Sequence, residues 1–133
     1  MKLLLDTHIM LWAMADDEQL PEKAKRLIAD EKNEIYFSII SLWEIQIKHI
    51  LHPEEMTDAE TVAAYCKEAG FTMISLTDDS VYRLKKLTRP DSAPKHKDPF
   101  DRILICQAIS EDMIFLTHDS LIPGYNAKNI MFV

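Results

Sequence analysis

Short apolar runs alternate with helical patterns along this chain, and that alternation restricts the fold more than any other feature of the sequence. Strands that are separated by helices pair in parallel and need cover on both faces, so we expect an α/β fold with a mostly parallel sheet between helices. The runs that predict strands are residues 2–5, 34–37, 71–76, 113–116 and 129–133.

Apolar residues at helical spacing fill the intervals between these strands. Either Ser38 or Ser41 can cap the helix that follows the second strand. Either Thr57 or Asp58 can begin the helix that ends at Gly70. The other predicted helices are residues 8–15, a segment that opens at position 21, residues 78–87 and a helix with its apolar body at 103–109.

The length and composition are those of a globular protein. With 133 residues, 47% of them hydrophobic and 28% charged, we expect a single domain over residues 1–133. Cys66 and Cys106 stand far apart in apolar helical patterns, which predicts reduced, buried thiols and a cytoplasmic protein. Asp6 and His8 interrupt the apolar N-terminus, and no other apolar run is long enough to cross a bilayer, so no membrane association is expected.

Basic residues are concentrated in one part of an otherwise acidic chain. The net charge of −7 argues against indiscriminate binding to nucleic acid. Between residues 83 and 97, however, lie six of the 15 basic residues and a single acid, Asp91. Taken alone, this strip is typical of a solvated helix face followed by the loop at 88–97. The candidate residues for contact with a nucleic-acid strand are Arg83, Lys85, Lys86, Arg89, Lys95, Lys97 and, beyond the strip, Arg102.

Four acidic residues stand where a parallel sheet places its ligands. Asp6 ends the first predicted strand and Asp119 follows the fourth, while Glu44 and Asp101 lie in the first turns of neighbouring helices. Because ligands gather at the carboxyl ends of parallel strands, we expect these carboxylates to meet at one edge. Acids without a basic partner repel one another, and a hard divalent cation such as Mg²⁺ removes that repulsion. One or two such ions can activate a water for phosphodiester hydrolysis.

Each acid also has a structural explanation. Asp6 is able to cap the following helix, Glu44 to face solvent, and Asp119 to stabilise a turn. In HKDPFDRILI, Asp98 is a helix cap followed by proline, and Asp101 lies favourably at the positive end of the helix dipole. The local sequence does not separate these structural explanations from a metal-binding role.

The five histidines form no zinc-binding pattern, since neither HExxH nor a Cys/His arrangement is present. His49 and His52 are expected at the surface. His8, His96 and His118 stand near acids. We expect His8 and His118 to border the acidic site without binding a metal.

Four segments in this order resemble the PIN domain, and most of all the bacterial toxin nucleases of the VapC type: LLLDTHIMLW, SLWEIQIK, DPFDRILICQAI and LTHDS. The resemblance covers nearly the whole chain. It implies a three-layer α/β/α sandwich with a central, mostly parallel sheet of about five strands. It also implies an RNA endonuclease that depends on Mg²⁺ or Mn²⁺.

Position by position, the resemblance implies a set of metal-binding, catalytic acids: Asp6, Glu44, Asp101 and Asp119. It implies hydroxyl residues that support the site at Thr7 and Thr117, and a Ser-x-x-Glu element that begins at Ser41. Asp98 belongs to a DPFD form that is seen in one branch of the family, so the resemblance assigns Asp101 to the metal and Asp98 mainly to capping the helix.

The resemblance also implies partners. These are an RNA substrate, a cognate antitoxin that blocks the site, and a second copy of the chain in a homodimer. Leu11, Trp12 and Trp43 are plausible antitoxin contacts, and the tryptophans are expected to be core or partner-facing anchors rather than base-stacking platforms.

Two other functions are alternatives to a nuclease. One is a PIN-like module of weak catalytic activity that binds RNA or protein. The other, a signalling receiver domain, requires a paired acid near the first strand and a lysine that ends a late strand. Asp16 and Asp17 come too late for that pair, and no strand end carries the lysine.

Overall fold

The computed structural model describes residues 1–133 and confirms the α/β prediction. Five strands form one sheet: β1 is Lys2–Leu5, β2 is Glu34–Ser38, β3 is Thr72–Ile74, β4 is Ile114–Thr117 and β5 is Ile130–Phe132. Their order in the sheet is β3-β2-β1-β4-β5, and all four neighbouring pairs are parallel. The carboxyl ends of β1 and β4 therefore lie side by side in the middle of one edge.

Six α-helices connect the strands: α1 Thr7–Met14, α2 Glu22–Ala29, α3 Ile39–Leu51, α4 Ala59–Glu68, α5 Asp78–Arg83 and α6 Pro99–Ser110. Short 3₁₀ turns at Leu84–Lys86 and Ile122–Gly124 complete the regular structure. The predicted helix 78–87 thus ends in a tightened 3₁₀ turn, as helices commonly do. The third strand is shorter than the predicted run at 71–76, and it lies at the sheet edge with only β2 as a neighbour.

The core has two halves, one on each face of the sheet. In β1, Leu3 and Leu5 point to one face and Leu4 to the other, because successive side chains of a strand alternate. The first pair packs with buried residues of α1, α2 and α4, and Leu4 packs with those of α6. This arrangement is the predicted three-layer α/β/α sandwich, with α3 contributing to both halves.

Helix ends follow local chemistry. The structure selects Ser38 as the cap of α3, where its hydroxyl oxygen accepts from the Ile40 N–H at 3.0 Å. Asp58 caps α4 by accepting from the Thr61 N–H at 2.8 Å. Gly70 follows α4 with φ of +89°, the left-handed conformation that glycine adopts without strain.

Both cysteines are free and buried, as predicted. Burial raises the pKa of the Cys66 thiol to about 11, so this group stays protonated at neutral pH. No helix of the structure has the length and apolar character needed to span a membrane.

The start of α6 yields a stability prediction. The Asp98 carboxylate accepts from the N–H groups of Phe100, at 2.9 Å, and Asp101, at 3.3 Å. We expect Asp98→Ala to lower the free energy of unfolding by about 1 kcal/mol, because two N–H groups lose their acceptor. Asp98→Asn keeps a capping oxygen and is the control. Urea denaturation followed by circular dichroism measures both, and equal losses in the two variants would contradict the capping role.

Candidate functional site

Asp6 is held in place by the pairing of β1 with β4. It follows the last residue of β1, is only 3% exposed and caps α1. One carboxylate oxygen accepts from the Thr7 N–H at 2.7 Å, and the other accepts from the Thr117 hydroxyl at 2.6 Å. Burial raises the pKa of Asp6, and these two hydrogen bonds oppose that rise. Asp6 therefore caps α1, as its structural explanation predicted, and its carboxylate lies at the carboxyl ends of β1 and β4.

Glu44 lies in the second turn of α3 and is buried. The alternative structural explanation, in which Glu44 faces solvent, is therefore wrong. Its Oε2 accepts from the Lys48 ammonium at 3.0 Å. Its Oε1 is buried and has no hydrogen-bond partner. An unpaired buried carboxylate oxygen is costly, and it calls for a donor or a cation that the protein itself does not supply.

Asp101 points into the same region from the first turn of α6. Burial, followed by the negative charges of Asp6, Asp98, Glu44 and Asp119, raises the pKa of Asp101 to about 8. The other three predicted acids, Asp6, Glu44 and Asp119, thus lie within electrostatic reach of Asp101 although they come from separate segments. Sequence position alone could suggest this grouping but not its distances.

Asp119 stabilises a turn, as its structural explanation predicted, and only one of its carboxylate oxygens is used for this. Its N–H donates to the Thr117 hydroxyl at 3.1 Å, and its Oδ1 accepts from the Leu121 N–H at 2.9 Å, as a turn residue does. Its Oδ2 lies 3.7 Å from the Nε2 atom of His96 and faces the acidic site.

His96 is the residue that sequence reasoning missed. Its Nε2 lies 3.0 Å from Oδ2 of Asp101, and its side chain is 6% exposed. Its Nδ1 lies 2.7 Å from the Tyr125 hydroxyl. The sequence did offer one signal, since His96 precedes Asp101 by five residues in HKDPFD. The contact with Tyr125 joins residues 29 positions apart, so no local sequence pattern predicted it.

The supporting residues lie behind the acids. The hydroxyls of Thr7 and Ser41 are 2.9 Å apart, so Ser41 ties α3 to α1. Gln107, which sequence reasoning also missed, is buried on α6 and accepts from the Ser38 hydroxyl at 2.5 Å. That bond joins α6 to the end of β2 and so helps to fix the position of Asp101.

The seven basic residues that are candidates for nucleic-acid contact, those of the basic strip and Arg102, divide into two groups. Three arginines are already engaged within the protein. Arg83 pairs with Asp79, Arg89 donates to the carbonyls of Pro94 and Leu121, and Arg102 donates to those of Leu84 and Leu87. The exposed cations without an ion pair are Lys85, Lys86, Lys95 and Lys97. The arginines thus organise the loop, and only the lysines are left for an external anion.

A cavity of about 320 Å³ adjoins the acids on the side of α1. It is lined by Asp6, His8, Trp12, His118 and Asp119, which agrees with the expected position of the two histidines. On the other side, Trp43 is 59% exposed and packs edge-on against Phe100, with ring centroids 5.3 Å apart. Trp43 is therefore a surface residue rather than a core anchor.

The donor set fits a hard divalent cation. One donor atom from each of His96, Asp101 and Asp119 lies within 4.8 Å of the others. Asp6 and Glu44 add carboxylate oxygens nearby, and one oxygen of Glu44 lacks a partner. Carboxylates that raise one another's pKa values while buried are the groups that a divalent cation stabilises.

Comparison with solved structures shows that this fold occurs in other proteins. The chain is similar in structure to chains from three toxin–antitoxin complexes. VapBC2 of Rickettsia felis, bound to promoter DNA, gives a TM-score of 0.66 at 15% identity, covering 100% of this chain and 98% of the other. A toxin–antitoxin complex of Klebsiella pneumoniae gives 0.57 at 18% identity, with 97% and 95% covered. VapBC-1 of nontypeable Haemophilus influenzae gives 0.57 at 18% identity, with 90% and 87% covered.

A search of curated protein sequences finds no significant match to this chain. The family model for the PIN domain, in contrast, matches residues 3–125. That range includes every acid described above, the strands β2 to β4 and all of β1 except Lys2. The chain belongs to the PIN domain family, as its ordered motifs predicted.

Proposed function

We propose that this chain is an RNA endonuclease that depends on Mg²⁺ or Mn²⁺ and acts as the toxin of a type II toxin–antitoxin pair. One observation carries the proposal. The carboxylates of Asp6, Glu44 and Asp119, which come from separate segments, lie close enough to Asp101 to raise its pKa, and the buried Oε1 of Glu44 has no hydrogen-bond partner. PIN domains are generally nucleases, and the similar structures are toxin–antitoxin complexes, which supports the same reading. The proposal treats residues 1–133 as one nuclease domain.

The four acids share one role in the proposed site, and neighbouring side chains support them. Asp6, Asp101 and Asp119, with Glu44, would hold the cation. When bound, such an ion activates a water as nucleophile and stabilises the leaving oxygen of the phosphodiester. Thr7 and Thr117 keep the Asp6 carboxylate in one orientation through their hydrogen bonds. Lys48 neutralises one oxygen of Glu44 and leaves the other free.

The free lysines supply the attraction that a polyanion needs. The chain carries a net charge of −7, so RNA must approach through a local positive region. Lys95 and Lys97 lie in the segment that leads directly into the cap of α6. We assign these two lysines to phosphate contacts beside the cleavage site.

The proposed protein partners are a cognate antitoxin and a second copy of this chain. The exposed ring of Trp43 stands next to Glu44 in sequence and packs on Phe100 beside the site. An antitoxin helix that covers Trp43 would also block access to the acids. Exposed apolar residues at the end of α3, Ile50 and Leu51, are available for self-association.

Cleavage depends on the acids if the proposal is right. We expect Asp6→Asn and Asp101→Asn to lower the rate of RNA cleavage in Mg²⁺ or Mn²⁺ by about 100-fold or more, because each removes a charged metal ligand. Glu44→Gln is compared with a control variant, Glu68→Gln. Glu68 is an exposed acid on α4, and its substitution should leave the cleavage rate unchanged. The assay follows a labelled single-stranded RNA on gels. Cleavage at the wild-type rate by both aspartate variants would exclude the proposed function.

The metal-free acidic cluster destabilises the fold as pH rises. The pKa of Asp101 is about 8 in the folded protein and close to 3.8 when unfolded, so the folded state binds the extra proton between these values. The free energy of unfolding therefore falls as pH increases from about 4 to 8. Below about pH 4 the Asp101 carboxyl is protonated in both states and does not lower the free energy of unfolding. Above about pH 8 it is ionised in both states, and the loss of stability has reached its full value.

Asp101→Asn should therefore stabilise the metal-free protein at pH 8, on the order of 2 kcal/mol after allowance for partial solvent exposure, and have little effect near pH 4. Chemical denaturation in EDTA at both pH values measures this. Adding Mn²⁺ should raise the stability of the wild type and not that of the variant. A variant that is less stable than the wild type at pH 8 would contradict the electrostatic account.

The two lysines beside α6 give a binding prediction. In the Asp6→Asn background, which prevents cleavage, we expect Lys95→Ala/Lys97→Ala to weaken RNA binding and to reduce the slope of log K against log salt by about 1.4, since each contact with a single strand contributes about 0.7. Fluorescence anisotropy measures both quantities. The pair Lys23→Ala/Lys67→Ala, exposed residues of α2 and α4, is the control. An unchanged salt slope would remove these lysines from the interface.

A further inference from the structure

The imidazole of His96 lies between two of the proposed metal-binding carboxylates. Its Nε2 is 3.0 Å from Asp101 and 3.7 Å from Asp119, and the ring is nearly buried. The family resemblance implied only acids and hydroxyls at the site, so the role of this nitrogen is not part of that expectation.

The Tyr125 hydroxyl lies against the Nδ1 side of the His96 ring, at 2.7 Å. The hydroxyl proton of Tyr125 is donated to the backbone carbonyl of His96, at 3.1 Å, which leaves the hydroxyl oxygen able to accept from an Nδ1–H of the same histidine. In that tautomer Nε2 carries a lone pair that is available to a cation held between Asp101 and Asp119.

Tyr125 is itself held rigidly. The guanidinium carbons of Arg89 and Arg102 lie 4.7 and 5.5 Å from the centre of its ring. Arg102 also donates to its hydroxyl oxygen at 3.5 Å, and the residue is 4% exposed. This is the arrangement found around metal-binding histidines, whose second nitrogen donates to a fixed oxygen acceptor.

We propose that the Nε2 atom of His96 is a ligand of the metal site together with Asp101 and Asp119, and that this nitrogen makes the site prefer Mn²⁺ to Mg²⁺. The inference rests on the proposed metal-dependent function and specifies the ion. Adjacent donors around an octahedral ion are about 3 Å apart and opposite donors about 4 Å. The 3.0 Å between Nε2 and the Asp101 oxygen matches adjacent donors, and the 3.7 Å between Nε2 and the Asp119 oxygen lies between the two values. Mg²⁺ prefers oxygen ligands alone, whereas Mn²⁺ is the softer of the two ions and accepts an imidazole nitrogen more readily.

The test measures the metal without RNA. Mn²⁺ bound to the full chain is studied by electron spin echo spectroscopy, which detects a directly coordinated histidine ¹⁴N. We expect a histidine signal in the wild type and its loss in His96→Gln, which offers an oxygen in place of Nε2. The Kd for Mn²⁺ should rise about 10-fold to 100-fold, while the Kd for Mg²⁺ changes by less than about 3-fold. Tyr125→Phe should weaken Mn²⁺ binding and keep the nitrogen signal.

The controls are His52→Gln, an exposed histidine that follows α3, and His118→Gln, which borders the cavity. Both should keep the nitrogen signal. A wild-type spectrum without histidine nitrogen, or a signal that is lost in His118→Gln but kept in His96→Gln, overturns the inference. If circular dichroism shows that His96→Gln does not fold, the single glutamine variants of the other four histidines, His8, His49, His52 and His118, decide by elimination. Loss of the signal in any one of them assigns the nitrogen elsewhere and overturns the inference, and its retention in all four assigns it to His96.

Failure of this inference is distinguishable from failure of the proposed function. A wild-type protein that cleaves RNA with an all-oxygen Mn²⁺ site overturns the role of His96 and leaves the nuclease proposal in place. A protein that binds Mn²⁺ through His96 and cleaves no RNA supports the metal site and overturns the nuclease proposal.

Discussion

The parallel pairing of β1 with β4 is the constraint on which the rest of the site depends. Leu5 and Leu116 are partners in the ladder, and the Asp6 N–H continues it by donating to the Leu116 carbonyl at 2.9 Å. This register places Asp6 beside Thr117, and Asp119 two residues beyond it, although 111 residues separate Asp6 from Thr117. A shift of one residue would turn the alternate side chains of each strand to the opposite face.

The remaining acids are delivered by helices that pack against that sheet. On α3, the cap at Ser38 sets where the helix begins, and so places Glu44 inward. On α6, the Ser38–Gln107 hydrogen bond and the buried apolar face set the position of Asp101. Since two of the acids come from strand ends and two from helix starts, the site requires the whole sandwich to be folded. The repulsion among the acids is then opposed by burial of apolar surface on both faces of the sheet.

Much of the fold was predictable because it follows from local patterns. Apolar runs predicted all five strands, and caps such as Asp58 and the left-handed Gly70 predicted helix ends within a residue or two. The grouping of the four acids followed from the rule about strand ends. The choice between Ser38 and Ser41, and the short length of β3, did not follow, because they depend on packing and on the sheet edge.

The sequence by itself determined the alternation of strands and helices, the order of the acids and the positions of the caps, because each rests on residues that are close together in the chain. Only the tertiary structure decided what those side chains meet. It buried Glu44 with one oxygen unpaired, engaged Arg83, Arg89 and Arg102 within the protein, and placed His96 between Tyr125 and the acids. The Arg89–Leu121 and His96–Tyr125 contacts join segments far apart in sequence, and their distances are set by packing rather than by any local pattern.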